Sequence, residues 1–470
     1  MVNADLSTYG IVGLGVMGRN LALNVHEQNL GIAGFSINAA ELSAMQEEAP
    51  DLPVFDSLEA FVGALESPRT IFLMVTAGAA VDEVLTNLRP LLAAGDTVID
   101  GGNSRYQDTS RRARELEAEG LIFLGVGVSG GEEGARHGAS LMIGGDEAAF
   151  DRVHPLFHAI ACEVGDEACC GWLGTEGAGH FVKMVHNGIE YGVMQLIAET
   201  YDVATRGMQL NLAQVQAWFD AQRSGALAGY LIDITAAVLK QPDDLASGML
   251  LDQISDVAGQ KGTGRWCVEA AMEYGVPAPT IIAAVTERQI SGRVETRQAL
   301  AEPDLAGIGV ANPNDWEKLL KDALLAGVLV TFAQGLSLIR TASETAGWGT
   351  DIATAIRLWR GGCIIRCALL EELLAAGDDL AMCDNVLAAS HLSGLVKDCA
   401  PVLRRLVAYA AERGVPLPAM SATLAYLDSF SSPRLPTRLI QAQRDFFGAH
   451  TFERIDRPGS FHVNWSSEQE

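Results

Sequence analysis

Positive charge is scarce in this sequence, and the shortage limits what the protein can bind. The chain has 33 lysines and arginines against 59 aspartates and glutamates, which gives a net charge of −26. Nucleic acids and anionic membranes are bound through basic surfaces, so we expect neither as a partner. An anionic ligand must instead find a local group of cations, and the few clustered basic residues therefore become informative.

Long apolar runs and paired cysteines are missing as well. No uninterrupted apolar stretch reaches the roughly 18 residues that span a bilayer, and the N-terminus lacks the basic-then-apolar order of a signal peptide. The eight cysteines form no CxxC pair and no Cys/His ligand spacing. This pattern favours reduced, buried thiols over disulfides or a metal site. We expect a cytoplasmic protein that holds no metal.

The first third of the 470 residues has the pattern of an α/β fold. From Tyr9 to about Ile143, apolar runs such as RTIFLMVT and DTVID alternate with helical stretches at 79–93 and 104–119. Continuous apolar strands separated by helices indicate a parallel sheet that is covered on both faces.

From His180 to about Asp428 the pattern is almost entirely helical. Within it, GIEYGVMQLIAET (188–200) resembles ALLAGVLVTFAQG (323–335), and GVPAPT (275–280) recurs as GVPLPA (414–419). The two offsets are nearly equal, which predicts a duplicated helical unit, with chance similarity as the alternative. The predicted segments are an α/β domain over 1–178, a large all-α domain over 179–432 and a short C-terminal tail over 433–470.

The motif GLGVMG, with Gly13, Gly15 and Gly18, follows an apolar run and opens a helical pattern. Its glycines allow a tight turn, close approach of a pyrophosphate and close helix–strand packing, while the helix N-terminus favours negative charge. At the first βα turn the motif predicts a Rossmann-type dinucleotide-binding domain. A purely structural tight turn is the alternative.

Two further glycine motifs follow predicted strands, and open α/β sheets bind ligands outside the carboxyl ends of their strands. In DGGNS (100–104), Asn103 is placed to hydrogen-bond a ligand, with a simple Asx-turn as the alternative. In GVSGGEEG, Ser129, Gly130 and Gly131 offer a hydroxyl and unhindered backbone N–H groups to a carboxylate or phosphate. A flexible glycine loop is the alternative there.

The stretch GHFVKMVHNGIEYGVMQLIAE carries a polar face on an otherwise apolar helix. At helical spacing one side collects Lys183, His186, Asn187, Glu190 and Tyr191. A solvated helix face would explain polar residues, but this set lacks the repeated Glu–Lys pattern of such a face. It places a proton acceptor and a proton donor about two turns apart on one rigid element.

The remaining candidates are basic residues in polar segments. Lys261 lies in DVAGQKGTGRW and Arg288 in TERQIS, and Arg444 and His450 lie in QAQRDFFGAHTFE. Each alone is more often an exposed charge, and only a shared site would make them phosphate ligands.

Seven motifs resemble, in order, those of the decarboxylating 6-phosphogluconate dehydrogenases, over essentially the whole chain. They are GLGVMG, DGGNSRYQDTSRR, GVSGGEEGARHGASLM, KMVHNGIEYGVMQLIAE, LLDQISDVAGQKGTG, WRGGCIIR and LIQAQRDFFGAHTFE. The resemblance implies oxidative decarboxylation of 6-phospho-D-gluconate to D-ribulose 5-phosphate and CO2, with reduction of a nicotinamide nucleotide, in the pentose phosphate pathway.

The resemblance also implies roles for single residues. Lys183 is the general base and acid, and Glu190 protonates the enediol. His186 and Asn187 orient the substrate, and Asn103 and Ser129–Gly131 lie near its carboxylate. The phosphate is surrounded by Tyr191, Lys261, Arg288, Arg444 and His450, the last two supplied by the tail of the partner subunit. The implied assembly is an obligate homodimer, formed through the helical domain.

NADP is the cofactor that the resemblance implies. The cofactor contacts that it implies are Gly13, Leu14, Gly15, Val16, Met17, Gly18, Ser36, Ile37, Asn38, Val75, Thr76, Ala77 and Asn103. Ile37 replaces the usual arginine, and Thr76 replaces a usual lysine, which leaves NAD or dual use open because a charge-assisted phosphate contact is lost. Val193 replaces a usual aspartate.

Two alternatives to this enzyme remain. One is a non-catalytic homologue that binds sugar phosphate, and the other is a different β-hydroxyacid dehydrogenase. The intact Lys183, His186, Asn187 and Glu190 favour the enzyme over the first. The second occurs in shorter chains and would not predict the tail motif.

Overall fold

The structure is a computed structural model that describes residues 6–301 and 311–465. The first five residues of the predicted segment 1–178, the last five of 433–470 and positions 302–310 lie outside the described residues. The chain divides into two compact units, 1–423 and 424–470, which are described separately. The predicted boundaries at 178 and 432 stay predictions.

The first unit is built on an eight-stranded sheet with the order β10-β7-β6-β5-β4-β1-β2-β3. Its strands are β1 (Ser7–Val12), β2 (Ile32–Phe35), β3 (Val54–Phe55), β4 (Leu65–Leu73), β5 (Thr97–Asp100), β6 (Ile122–Ser129), β7 (Ser140–Gly144) and β10 (Cys170–Trp172). A separate hairpin pairs β8 (Glu163–Val164) with β9 (Glu167–Ala168).

Strands β1 to β6 are parallel and follow the order of a doubly wound dinucleotide-binding fold. The predicted α/β Rossmann-type fold is therefore confirmed. The strand order reverses between β1 and β4, and ligands bind in the crevice at such a switch point.

The prediction of a parallel sheet is wrong at one edge, where β7 runs antiparallel to β6. A parallel return requires a crossover of about a dozen residues or more. Only the short segment between Ser129 and Ser140 connects these strands, so the chain turns back directly. Strand β10 then pairs parallel with β7.

Seven helices accompany the sheet. They are α1 (Val16–Glu27), α2 (Ala39–Glu48), α3 (Leu58–Gly63), α4 (Ala79–Leu88), α5 (Tyr106–Glu117), α6 (Gly131–His137) and α7 (Glu147–Ile160). The predicted stretch 79–93 continues past α4 only as a 3-10 turn (Arg89–Leu91) with Pro at its second position, and 104–119 is confirmed as α5.

From Ala178 to Phe430 the described chain is almost entirely helical, as predicted, and one further helix lies in the tail. These helices are α8 (Ala178–Asp202), α9 (Leu212–Ala221), α10 (Tyr230–Val238), α11 (Thr263–Glu273), α12 (Pro279–Ser291), α13 (Val294–Ala299), α14 (Trp316–Ala346), α15 (Ile352–Leu358), α16 (Leu369–Leu374), α17 (Asp379–Met382), α18 (Ser390–Glu412), α19 (Pro418–Phe430) and α20 (Thr437–Gly448).

Helix α14 is long and apolar enough, by length and composition, to cross a membrane. This corrects the expectation that no apolar stretch reaches the length that spans a bilayer. The apolar window is almost entirely buried within the protein, because α14 packs against α8 and α18. A central position in the core accounts for its composition.

Helix α8 belongs to the first predicted repeat and α14 to the second, and a side chain of each caps the N-terminus of a helix in the other repeat. Glu199 of α8 accepts hydrogen bonds from the backbone N–H groups of Ala419 (2.7 Å) and Met420 (2.9 Å), at the start of α19. In return, Gln334 of α14 accepts one from the N–H of Thr280 (3.1 Å), at the start of α12. Both exchanges follow the sequence offsets of the predicted duplication.

The second unit is organised by one buried carboxylate. Asp445 of α20 accepts hydrogen bonds from Thr451 N (3.0 Å), His462 Nδ1 (2.9 Å) and Trp465 Nε1 (2.8 Å). A short hairpin of β11 (Phe452–Glu453) and β12 (Ser460–Phe461) lies between these partners in the chain. The predicted tail helix and aromatic segment are thus held together by local polar contacts.

Candidate active site

A cleft of about 2190 Å³ opens at the switch point of the sheet and extends to helix α8. It is lined by the glycine motif, by the ends of β4 and β5, by α8 and by the segment that precedes α11. The lining residues predicted from sequence are Gly15, Val16, Met17, Gly18, Val75, Thr76, Ala77, Asn103, Asn187, Glu190, Tyr191, Lys261 and Arg288.

The glycine motif is shaped to receive a pyrophosphate. Gly13 has a φ of +95°, and a Cβ at Gly18 would lie 1.9 Å from the carbonyl oxygen of Gly13. Helix α1 begins after Gly15 with no side-chain cap and no acidic residue in its first turn. Its first N–H groups are therefore available to an anion. The Leu14 side chain is buried, so only its backbone is available there.

A second pocket of about 1440 Å³ adjoins the cleft and shares Gly15, Val75 and Thr76 with it. Ser36, Ile37 and Asn38 line this pocket at the end of β2, as predicted. Together the pocket and the cleft fit an extended dinucleotide that crosses the start of α1.

The DGGNS loop is held by Asp100 rather than by Asn103. Asp100 is fully buried and accepts hydrogen bonds from Gly102 N (3.0 Å) and Ser104 Oγ (2.6 Å). The Asx-turn that was the alternative for Asn103 is thus made by Asp100. Asn103 is exposed in the cleft, where its amide is available to a ligand.

The polar face of α8 forms a directed hydrogen-bond chain with β6. Lys183 Nζ donates to Ser129 Oγ at 2.9 Å, and Ser129 Oγ lies 3.2 Å from His186 Nε2. His186 Nδ1 lies 3.2 Å from Asn187 Oδ1. Because Oδ1 only accepts, Nδ1 carries the imidazole proton and Nε2 accepts from the serine hydroxyl. Lys183 Nζ is also 3.4 Å from His186 Nδ1.

Glycine residues in β6 and in the turn after it allow Lys183 and Ser129 to come into contact. A Cβ on Gly127 of β6 would lie 2.3 Å from Lys183 Cβ, so only glycine lets the helix approach the strand here. After Ser129 the chain turns at Gly130, whose φ is +112°. A Cβ on Gly130 would lie 2.5 Å from the carbonyl oxygen of Gly362, so a second glycine segment closes over this turn.

Burial controls the ionisation of these groups. Desolvation lowers the pKa of Lys183 to about 8, against smaller opposing effects of the Glu190 and Cys363 charges. The pKa of His186 lies well below its usual value, because the ring is buried and Lys183 is adjacent, so the imidazole is neutral. Desolvation raises the pKa of Glu190, while the charges of Lys183 and Arg288 oppose the rise. A base and an acid are thus both tuned toward neutral pH.

Arg288 brings a positive charge to the far end of the cleft. Its guanidinium stacks on the Tyr191 ring at 3.5 Å from the centroid, and Nη1 donates to Gly259 O at 3.2 Å. Lys261, two residues after Gly259, lines the same cleft. These contacts form the local group of cations that an acidic protein needs for an anionic ligand.

Two family models match nearly the whole sequence. Residues 8–174 match the NAD binding domain of 6-phosphogluconate dehydrogenase, and residues 179–465 match the 6-phosphogluconate dehydrogenase C-terminal domain. Decarboxylating 6-phosphogluconate dehydrogenases of Synechococcus elongatus and Lactococcus lactis are 46% and 43% identical, each over 98% of this chain and 99% of the relative. The structure of Plasmodium falciparum 6-phosphogluconate dehydrogenase matches with a TM-score of 0.93 and 36% identity, over 97% of this chain and 100% of that one. The chain belongs to the 6-phosphogluconate dehydrogenase family.

Some residues that the family resemblance implies lie outside the cleft lining. They are Ser129, Gly130, Gly131, Lys183 and His186. His186 lies next to Asn187 and Glu190, which do line the cleft, and Ser129 contacts both Lys183 and His186. Arg444 and His450 are exposed residues of the second unit. Their role at a 6-phosphogluconate dehydrogenase site therefore stays a prediction.

Val193, where the family usually has aspartate, lies in an apolar environment. It is 8% exposed and lines a small apolar cavity together with Ile197, Leu231 and Phe332. Arg366 lines the same cavity, so the structure does not explain why valine stands at this position.

Sequence reasoning missed several residues of the site. Trp266, Met194 and Gln260 line the cleft, and Glu41 lines the adjoining pocket. Of these, only Glu41 could have been predicted from the sequence. It is an acidic residue in the first turn of α2, close to the position at which dinucleotide-binding folds place an acidic side chain. Within the described residues, no three His, Cys, Asp or Glu side chains are grouped to hold a metal, and the metal-free site stays a prediction.

Proposed function

We propose that the protein catalyses oxidative decarboxylation of 6-phospho-D-gluconate to D-ribulose 5-phosphate and CO2, with reduction of a nicotinamide dinucleotide. One observation carries the proposal. Lys183 has a pKa of about 8 and is buried between Ser129 and a neutral His186, on the helix that presents Glu190 to a dinucleotide-sized cleft. This is a base–acid pair next to a redox cofactor site.

Lys183 acts first. When bound, the nicotinamide supplies the hydride acceptor. Neutral Lys183 accepts the proton of the C3 hydroxyl as C3 becomes a ketone. Ser129 holds Nζ in place, and the neutral imidazole of the adjacent His186 leaves Lys183 free to take up that charge.

The ketone then accepts the electron pair of the breaking C1–C2 bond as CO2 leaves. Protonated Lys183 stabilises the developing oxyanion and returns its proton to it, which gives an enediol. Glu190, whose pKa is raised by burial, donates a proton to the carbon that lost CO2. The product is the 2-ketose phosphate, and the proton balance is completed by Lys183, which accepts the enediol proton.

The remaining residues position the two ends of the substrate. Asn103, Ser129, Gly130 and Gly131 serve the carboxylate end, together with Asn187. Tyr191, Lys261 and Arg288 serve the phosphate end. The guanidinium of Arg288 stacks on Tyr191. Its Nη2 donates to Met194 Sδ (3.5 Å), a weak acceptor that a phosphate oxygen can replace.

The relatives name the substrate and a cofactor. The Plasmodium falciparum structures include complexes with the cofactor NADP+ and with the substrate 6-phosphogluconate, and a Bacillus subtilis relative, 41% identical, is named NADP(+)-dependent. We propose the same substrate here, and NADP+ or NAD+ as its oxidant.

The test uses 6-phosphogluconate labelled with 13C at C1. We expect equal amounts of labelled CO2, ribulose 5-phosphate and reduced dinucleotide. Reduction without CO2 would indicate a different β-hydroxyacid dehydrogenase. Substrate binding without reduction by either dinucleotide would indicate a non-catalytic homologue.

We also propose an obligate homodimer in which Arg444 and His450 complete the phosphate site of the partner. Helix α20 supports this, because Leu439, Phe446 and Phe447 are 62%, 63% and 72% exposed around Arg444. An exposed apolar helix that carries an exposed cation suits insertion into a second subunit.

Mixed dimers test the exchange of tails. Lys183→Met and Arg444→Ala should each be inactive alone. If the tail acts in the partner, random mixing should restore about a quarter of wild-type activity, since half of the dimers carry one intact site out of two. No recovery in mixed dimers would indicate that each tail serves its own subunit.

A further inference from the structure

The pocket that would hold the adenosine half of the cofactor is acidic. Three carboxylates line it, those of Glu41, Glu59 and Glu83. No lysine, arginine or histidine is present among the described residues that line it. At the end of β2 the exposed side chain is Ile37, which is 91% accessible and offers no charge.

Glu41 is held in a fixed position at this pocket. Its Oε2 accepts a hydrogen bond of 2.7 Å from Ser36 Oγ, and Ser36 Oγ in turn accepts one of 3.0 Å from Asn38 N. Asn38 caps α2 through its own side chain, which accepts from Ala40 N at 3.0 Å. The end of β2 and the first turn of α2 therefore fix the carboxylate.

The free oxygen of Glu41 faces the glycine motif. Glu41 Oε1 makes no hydrogen bond to any described residue and would lie 3.7 Å from a Cβ placed on Gly15. It therefore stands beside the start of α1, where the pyrophosphate fits. In dinucleotide-binding folds the adenosine ribose lies between the start of α1 and the end of β2, where an acidic side chain binds the 2′-hydroxyl of NAD.

We infer that Glu41 is the acceptor for the adenosine ribose hydroxyls and makes the protein prefer NAD+ over NADP+. The inference rests on the proposed use of a nicotinamide dinucleotide. Oε1 accepts a hydrogen bond from a ribose hydroxyl, whereas a 2′-phosphate brings two negative charges against a fixed carboxylate. Among the described residues that line the pocket, which include Ile37 and Thr76, the 2′-phosphate of NADP+ also finds no cation to pair with.

The expected size of the preference for NAD+ follows from the phosphate–cation contact that NADP+ lacks in this pocket. A charge-assisted hydrogen bond contributes about 1.5–3 kcal/mol, which corresponds to about ten- to a hundredfold in affinity. We therefore expect NAD+ to bind at least about tenfold more tightly than NADP+ at low salt. Since the repulsion is partly screened, the ratio should fall as ionic strength rises.

Equilibrium binding tests the inference without turnover. Isothermal titration with NAD+ and NADP+, in the absence of sugar phosphate, gives the ratio of dissociation constants. Glu41→Gln keeps the shape and removes the charge, so the preference for NAD+ should fall about tenfold. Ile37→Arg, at an exposed position that places little strain on folding, should tighten NADP+ binding about tenfold. Glu47→Gln, an exposed carboxylate on the same helix outside the pocket, is the matched control and should change neither constant.

The outcomes separate the inference from the proposed function. NADP+ binding as tight as NAD+ in the parent protein, or a Glu41→Gln ratio equal to that of Glu47→Gln, would overturn the role of Glu41. Failure of the folded parent protein to bind either dinucleotide would overturn the proposed function itself.

Discussion

The pH dependence of kcat/KM depends directly on the environment of Lys183. With a pKa of about 8, about a quarter of the lysine is neutral at about pH 7.5, against about one part in a thousand at the ordinary value of 10.5. Burial therefore raises the fraction of active base by about two hundredfold. Below about pH 8, kcat/KM should fall tenfold per pH unit, to about thirtyfold below its plateau at about pH 6.5.

Two titratable groups next to Lys183 do not ionise in the same pH range. The pKa of His186 lies well below its ordinary value, and burial raises that of Cys363 to about 12, so neither titrates near pH 8. The charge of Glu190 raises the pKa of Lys183. Glu190→Gln should therefore move the midpoint of the acid limb to lower pH, whatever it does to the height of the plateau.

The assay is the initial rate of dinucleotide reduction at limiting substrate, from about pH 6.5 to 9.5. This window lies above the second ionisation of a sugar phosphate, at about pH 6. A midpoint near 10, or a midpoint that moves to higher pH in Glu190→Gln, would refute the assignment of Lys183 as the base.

Three further predictions concern stability and packing. Gly127→Ala should lower kcat at least about tenfold and destabilise the fold by about 1–3 kcal/mol in urea unfolding, because its Cβ would lie 2.3 Å from Lys183 Cβ. Lys183→Met should raise the melting temperature below pH 8, since the lowered pKa of this 7% exposed lysine costs folding up to about 3 kcal/mol there; an unchanged or lower melting temperature would contradict the cost. The pKa of Glu199 is raised from 4.5 to about 7, so its stabilising effect is complete below 4.5 and is lost as the pH rises to about 7. Glu199→Gln should therefore flatten the unfolding free energy between about pH 4.5 and 7, and an unchanged slope would show that another group titrates.

Local patterns predicted most of the first unit. The apolar runs gave the six central strands because buried parallel strands have no alternation to misread. The short connection after Ser129 indicates that β7 runs antiparallel to β6, but the apolar content of a strand alone does not predict its direction. The face of α8 was predicted because Lys183, His186, Asn187 and Glu190 share one helix.

Contacts between distant residues escaped prediction. The stacking of Arg288 on Tyr191 and the exchange of caps by Glu199 and Gln334 depend on tertiary packing, which no local pattern encodes. Glu41 was missed for a different reason. Dinucleotide-binding folds place such an acidic residue at the end of β2, whereas here it comes from the first turn of α2, and a hydrogen bond from Ser36 holds it in the same pocket.

The most direct test of the account is the chemical step in Lys183→Met, with NAD+ and 6-phosphogluconate saturating. Lys318→Met, on the exposed side of α14, is the matched control. The account predicts that Lys183→Met binds both ligands within about tenfold of the parent but loses at least about a thousandfold in kcat, while Lys318→Met keeps full activity. A Lys183→Met enzyme that retains more than about a tenth of the parent kcat would contradict the claim that this lysine carries the proton transfer.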